Sequence, residues 1–212
     1  MALILPKSVC IHIPKTGGMT WRAALHAAFR TRRKLDESGD ESMARVNERM
    51  HGSFMQLRPD EKEGRRVIAS VRPTLGWYES LWCHIYRHRK DGEGIAGLDF
   101  WVDDFEQWIL KVCRERPGAY NRTLMTMLGG CSEPILLRFR VLLPDMVTAL
   151  KLAGEEFDEE KIYRQQPQNV CKQERAQCTW SDEMLEGIAV TEGEGTYPDE
   201  FTEQFGQFIL TH

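Results

Sequence analysis

The sequence predicts an α/β protein built on a mostly parallel sheet. Three short β-rich runs carry the prediction: 8–13 (SVCIHI), 66–71 (RVIASV) and 134–139 (PILLRF). Each is followed by a segment whose apolar residues recur at helical spacing. Strands that alternate with helices need crossover connections, and these set successive strands parallel in one sheet. The hydrophobic fraction of 42% gives a chain of 212 residues a sizeable core. There is no internal repeat and no clear linker, so the expectation is a single domain over 1–212.

The first strand stops at Pro14, and Gly17 and Gly18 follow. Trp21, Ala24, Leu25, Ala28 and Phe29 then mark an amphipathic helix. Residues 30–49 are charged and mixed in sign, with a break at Ser38-Gly39-Asp40, and read as a loop or an exposed helix. The second strand closes at Arg72-Pro73, because a residue before proline is pushed out of the helical region. A helix over 74–88 comes next, then a glycine-containing loop over 91–97. Trp101, Phe105, Trp108 and Val112 step by four, three and four, which predicts a helix buried along one stripe.

A further helix is expected over 120–128. The helix over 143–152 is opened by Pro144 and ended by Gly154. The tail over 155–196 is polar and poorly patterned. A last helix is expected over 197–210, with Phe201, Phe205 and Phe208 on one face.

A formal net charge of −4 leaves no global basic field, so nucleic acid is not an expected partner. Any anion site must be local. The six cysteines form no C-x-x-C pair and are expected to be reduced thiols rather than zinc ligands. Met1–Pro6 lacks the pattern of a secretory signal, and no stretch has the length of a membrane span. The expectation is a soluble cytoplasmic protein without a membrane partner.

Two places carry chemistry. The first is Pro14-Lys15-Thr16-Gly17-Gly18-Met19-Thr20, between the first strand and its helix. A helix N-terminus leaves N–H groups unpaired and carries partial positive charge, which suits a phosphate. The two glycines allow close backbone approach, Lys15 adds a full charge, and Thr16 and Thr20 add hydroxyls. The lysine precedes the glycines, so this is not the Walker pattern. The second place is Arg72, with Ser80 eight residues on, about two turns into the following helix. Arginine offers a planar fork suited to two phosphate oxygens, and a serine can add a further bond.

Residues 11–21, IHIPKTGGMTW, resemble the 5′-phosphosulfate loop of sulfotransferases that use 3′-phosphoadenosine 5′-phosphosulfate (PAPS), especially the carbohydrate-type and small bacterial members. The family pattern there is Pro-Lys-Thr-Gly-Gly-Thr-Thr/Ser, so Met19 stands where a hydroxyl residue is usual. Residues 67–82, VIASVRPTLGWYESLW, resemble the strand and helix that hold the 3′-phosphate in that family, through Arg72 and Ser80. Pro73-Thr74 departs from the usual Asn/Asp-Pro, but the Arg–Ser spacing is intact. A weaker echo lies at 134–152, where Arg140 replaces an acid usual in the family.

The resemblance implies a three-layer sandwich, with the sheet between helices on both faces, as in P-loop NTPase-like sulfotransferases. It also implies transfer of a sulfuryl group from PAPS to a hydroxyl, with a small-molecule or glycan acceptor and no metal. Lys15, Thr16, Gly17, Gly18, Met19, Thr20, Arg72 and Ser80 would bind the nucleotide. Trp21 would either stack on adenine or open the core of its helix.

Such a transfer needs a cation at the leaving oxygen and a base for the acceptor. Lys15 fits the cation. His51, in Met50-His51-Gly52-Ser53-Phe54, matches a base position of carbohydrate-type relatives, and His84 is the second choice. His84 and His88 lie four apart, but no third metal ligand is apparent. Two other readings stay open: a nucleotide-dependent kinase on a related fold, and a nucleotide-binding protein without turnover.

Overall fold

A computed structural model describes residues 2–30, 47–49, 53–87, 102–166 and 172–211. In chain order the elements are β1 (Ala2–Ile4), β2 (Ser8–Ile11), α1 (Gly18–Arg30), β3 (Asn47–Arg49), α2 (Pro59–Lys62), β4 (Arg66–Val71), α3 (Thr74–Arg87), α4 (Phe105–Glu115), α5 (Ala119–Leu128), β5 (Ile135–Arg138), α6 (Leu142–Leu152), α7 (Glu159–Tyr163), α8 (Lys172–Arg175), α9 (Asp182–Glu192) and α10 (Asp199–Phe205). The protein is α/β, and it divides into two compact units.

The first unit comprises Met1–Val71, Met127–Asn169 and Phe208–His212. It contains a five-stranded sheet in the order β3-β1-β2-β4-β5. The neighbours β2, β4 and β5 run parallel, with Cys10 opposite Ile68 and Ile68 opposite Ile135. β1 and β3 add antiparallel at the other edge, so the sheet is mixed. Leu3, Cys10, Ile68, Ile135 and Leu137 pack with Trp21, Leu25, Met146 and Leu150 from α1 and α6 to form its core. β4 is buried except at Arg66, as a strand in the interior of a sheet requires.

The second unit comprises Arg72–Thr126 and Val170–Gln207, and is helical. Its core is aromatic. Trp77 stacks on Tyr120 with centroids 4.5 Å apart, and Trp77, Tyr78, Trp108 and Tyr120 are almost fully buried. α4 starts after Asp104, whose carboxylate accepts from the Gln107 N–H at 2.9 Å, and it buries Phe105, Trp108, Ile109 and Val112. Trp101, expected on the same stripe, lies outside the described residues.

The structure adds elements that the sequence did not announce. β1 pairs with β2, although the strand is only three residues long and Pro6 comes two residues after it. The tail over 155–196 contains α7, α8 and α9. The last helix ends at Phe205, short of the expected 210, and a single tight turn over Gly206–Phe208 follows.

Candidate functional site

The first candidate lies within the sheet-containing unit, on the turn from β2 to α1. Lys15 has φ of 65°, the single positive value among described residues other than glycine. A side-chain-bearing residue held in this left-handed region costs about 1–2 kcal/mol, so the surrounding turn must impose it. Thr16 does part of this work. It is fully buried, and its hydroxyl donates to the Ile13 carbonyl at 2.8 Å. The Ser70 hydroxyl of β4 lies 2.9 Å from it and donates to the Thr16 carbonyl at 2.9 Å. The Thr16 hydroxyl and carbonyl therefore staple the turn to the neighbouring strand.

Gly17 and Gly18 are required for different reasons. Gly17 has φ of 93°, and a Cβ there would fall 2.8 Å from Leu142 and 3.2 Å from the Phe139 ring. A Cβ on Gly18 would fall 1.9 Å from the His12 imidazole, which meets Trp21 edge-on. The turn is thus pressed onto 139–142 on one side and onto the end of the first strand on the other. The Thr20 and Trp21 N–H groups both donate to the Gly17 carbonyl, at 3.0 and 3.2 Å, so Gly17 caps α1. The first turn of α1 carries no acidic residue to offset its positive end. Met19 is 43% exposed and brings no hydroxyl, whereas Thr20 is 8% exposed. Trp21 is buried in the core of this unit, the structural one of its two roles.

These contacts yield a prediction. Gly17→Ala lowers stability by about 2–4 kcal/mol, the sum of left-handed strain and overpacking. Gly64→Ala is the control, since Gly64 has φ of 69° but nothing within 4 Å of its added Cβ; it costs about 1 kcal/mol. Urea unfolding of both variants checks the difference. Equal losses would remove the contact with Phe139 and Leu142 as a constraint on the turn.

The second candidate lies within the helical unit. Arg72 is 5% exposed, and its backbone is fixed by Tyr120. The Arg72 N–H donates to the Tyr120 hydroxyl at 3.0 Å, which donates back to the Arg72 carbonyl at 2.8 Å. The guanidinium crosses Gly76, where a Cβ would fall 3.2 Å from Nε. Gly76, Ser80 and His84 follow one another at i, i+4 and i+8, so they share a stripe of α3. Arg72 starts at the beginning of that stripe, and Ser80 and His84, both half-buried, lie farther along it.

Burial pulls the Arg72 guanidinium down to about 10. The charge of Arg175 acts in the same direction, while Glu79 opposes both. Glu79 also receives Arg175 at 3.3 Å and the Trp180 indole N–H at 3.1 Å. An anion added beside Arg72 relieves both the burial cost and the repulsion between the arginines.

No family model, curated protein or solved structure matches this chain.

Lys15, Thr16, Gly17, Gly18, Met19, Thr20 and Trp21 follow one another through one turn into α1, while Arg72 precedes α3 and reaches Gly76, one helical turn before Ser80. His51, chosen as base, lies outside the described residues, as does His88. Arg140, the departure from the family pattern, is exposed. The acid that holds Arg138 is the buried Asp145, whose two oxygens accept from Nε at 3.0 Å and from a terminal nitrogen at 2.8 Å. Sequence reasoning missed Arg175 and Tyr120. Arg175 sat in a tail that lacked a pattern, and Tyr120 read only as a helix residue. Among the described residues there is no group of three or more His, Cys, Asp or Glu able to hold a metal. None of their helices is long and apolar enough to cross a membrane.

Proposed function

We propose that the protein is a sulfotransferase of the P-loop NTPase-like fold, which moves the sulfuryl group of PAPS to a hydroxyl acceptor. The observation that carries the reading is the buried Arg72 guanidinium laid over Gly76 on the stripe that holds Ser80. A buried cation with a depressed pKa, at the head of a helix stripe that carries a serine and within the field of a second arginine, is suited to a phosphate monoester. The 3′-phosphate is what distinguishes PAPS from ATP. The left-handed Lys15 at a glycine turn that opens a helix supports a second anion site, for the 5′-phosphosulfate.

In the reaction the acceptor oxygen attacks sulfur, and the bond from sulfur to the bridging phosphate oxygen breaks. Adenosine 3′,5′-bisphosphate leaves. Lys15 stabilises the charge that grows on its 5′-phosphate. The acceptor proton passes to a base, for which His51 and His84 are the candidates. The acceptor is a small molecule or a glycan.

Thermal shift tests the nucleotide directly. Adenosine 3′,5′-bisphosphate at a hundredfold excess over its Kd raises Tm by about 5–10 °C, whereas ATP with magnesium leaves it unchanged. Arg72→Ala weakens the bisphosphate about 10- to 100-fold by calorimetry, because a charged, bidentate contact is lost. A response to ATP with magnesium alone would favour a kinase. Unchanged affinity in Arg72→Ala would defeat the assignment of the 3′-phosphate.

A further inference from the structure

A second stripe of α3 lies beside the one that holds Ser80. Glu79, Cys83 and Arg87 follow at i, i+4 and i+8, and all three meet the segment 174–180 of the same unit. Arg87 donates to the Glu174 carboxylate through two nitrogens, at 3.0 and 2.8 Å. Glu79 takes Arg175 and Trp180, as described above. Between these two polar clasps the Cys83 and Cys178 sulfurs stand 3.9 Å apart. Cys83 is fully buried, and Cys178 is half-buried.

We propose that Cys83 and Cys178 form a reversible disulfide that bolts the segment 174–180 to α3. The proposal concerns a modification site and is independent of the nucleotide reading. Three features of the pair support it. The sulfurs are already in contact, so closure to a bond of about 2.05 Å needs a small approach. The flanking ion pairs hold the two chain segments together whether or not the bond forms. Cys178 is the less buried of the two, on the side from which an oxidant would arrive, and Cys83 is positioned to displace what the oxidant leaves. The hydrogen bond from the Cys178 thiol, with help from the Arg175 charge, lowers the Cys83 pKa against the effect of burial, while the same bond and burial raise that of Cys178, so Cys83 gives up its proton the more readily of the two.

With a peroxide as oxidant the chemistry balances. The Cys178 thiol gives its proton to solvent as its sulfur attacks a peroxide oxygen, the O–O bond breaks, and a sulfenic acid forms as hydroxide leaves. Hydroxide takes the proton from Cys83. The Cys83 thiolate then attacks the Cys178 sulfur, the S–O bond breaks, and hydroxide leaves with a proton from solvent as water. Two thiols have lost two electrons to one peroxide, and a dithiol reductant reverses the change. The bond encloses the chain from Cys83 to Cys178 and fixes the segment that carries Arg175 next to Arg72.

The test oxidises the full chain with a few equivalents of hydrogen peroxide, blocks remaining thiols with iodoacetamide, and maps the digest by mass spectrometry. The expected product is a linked pair of peptides carrying Cys83 and Cys178, absent after dithiothreitol. Tm rises by about 5–10 °C on oxidation, as for a bond closing a long loop. Cys178→Ser, at the less buried position, folds with unchanged secondary structure and shows neither the linked pair nor the rise. Recovery of both cysteines alkylated after oxidation would overturn the proposal, as would a bond from either one to a different cysteine.

Discussion

On the proposed reaction, Lys15→Ala lowers kcat for sulfuryl transfer by about 10²- to 10³-fold, with a change of only a few fold in the KM for PAPS. The magnitude is that of removing one donor from a site where charge develops in the transition state. The split follows from chemistry. The charge on the bridging oxygen grows as the bond to sulfur breaks, so Lys15 matters more at the transition state than in the ground state. If Arg72 holds the 3′-phosphate as proposed, Arg72→Ala behaves in the opposite sense: that phosphate is remote from the breaking bond and its contact would be uniform, so KM rises more than kcat falls.

The backbone provides the control. Lys15 sits at φ of 65°, where glycine carries no strain. Lys15→Gly therefore exchanges left-handed strain for extra entropy in the unfolded chain, two effects of about 1 kcal/mol each and opposite sign. Its Tm stays within about 3 °C of wild type while its kcat falls as far as that of Lys15→Ala. Steady-state transfer of labelled sulfate to a panel of sugars, phenols and alcohols, alongside thermal unfolding, reads both quantities. Full activity in Lys15→Gly would remove the side chain from the mechanism.

The two candidate turns were legible because each is local. The turn over 14–20 is announced by residues that have few other uses in that order: a proline to end a strand, a lysine, and two glycines before a helical stripe. Arg72 and Ser80 are marked by a proline and by helical spacing. What the residues could not reveal was how each side chain is spent. Thr16 reads as a ligand hydroxyl, yet its oxygen is consumed by Ile13 and Ser70, and Ser70 is a β4 residue fifty-four positions away. The tail failed for a similar reason. α9 buries Met184, Ile188 and Glu192 at i, i+4 and i+8, and a glutamate as third member breaks the apolar pattern that defines a stripe. β1 failed because three residues are too few to alternate, and its pairing with β2 decides it.

Glu192 is also where the largest loss of stability is expected. It is 4% exposed and ends α9. Its carboxylate accepts from the Tyr120 N–H at 2.9 Å, the Asn121 N–H at 3.0 Å and the Tyr78 hydroxyl. The first two are orphan donors at the start of α5, so Glu192 caps that helix from a distance of seventy-two residues. Tyr120 in turn fixes the backbone of Arg72. Glu192→Ala strips three buried donors of their acceptor and costs about 3–5 kcal/mol, a fall in Tm of about 10 °C. Glu192→Gln retains an acceptor and loses less.

Burial raises the Glu192 pKa above 4.5, even though the Tyr78 hydroxyl and the two backbone N–H groups pull it down. The sign of the pH dependence follows. The native carboxyl binds its proton more tightly than the unfolded one, so its contribution is fully present below pH 4.5 and is lost as pH rises through the native value. Wild type should therefore lose stability relative to Glu192→Gln as pH rises above 4.5, the glutamine having no proton to release. Urea midpoints of the two proteins across that range measure the gap. A gap that stays constant, or that widens in favour of glutamate at higher pH, would mean that the three donors outweigh burial and hold the carboxylate ionised in the folded protein.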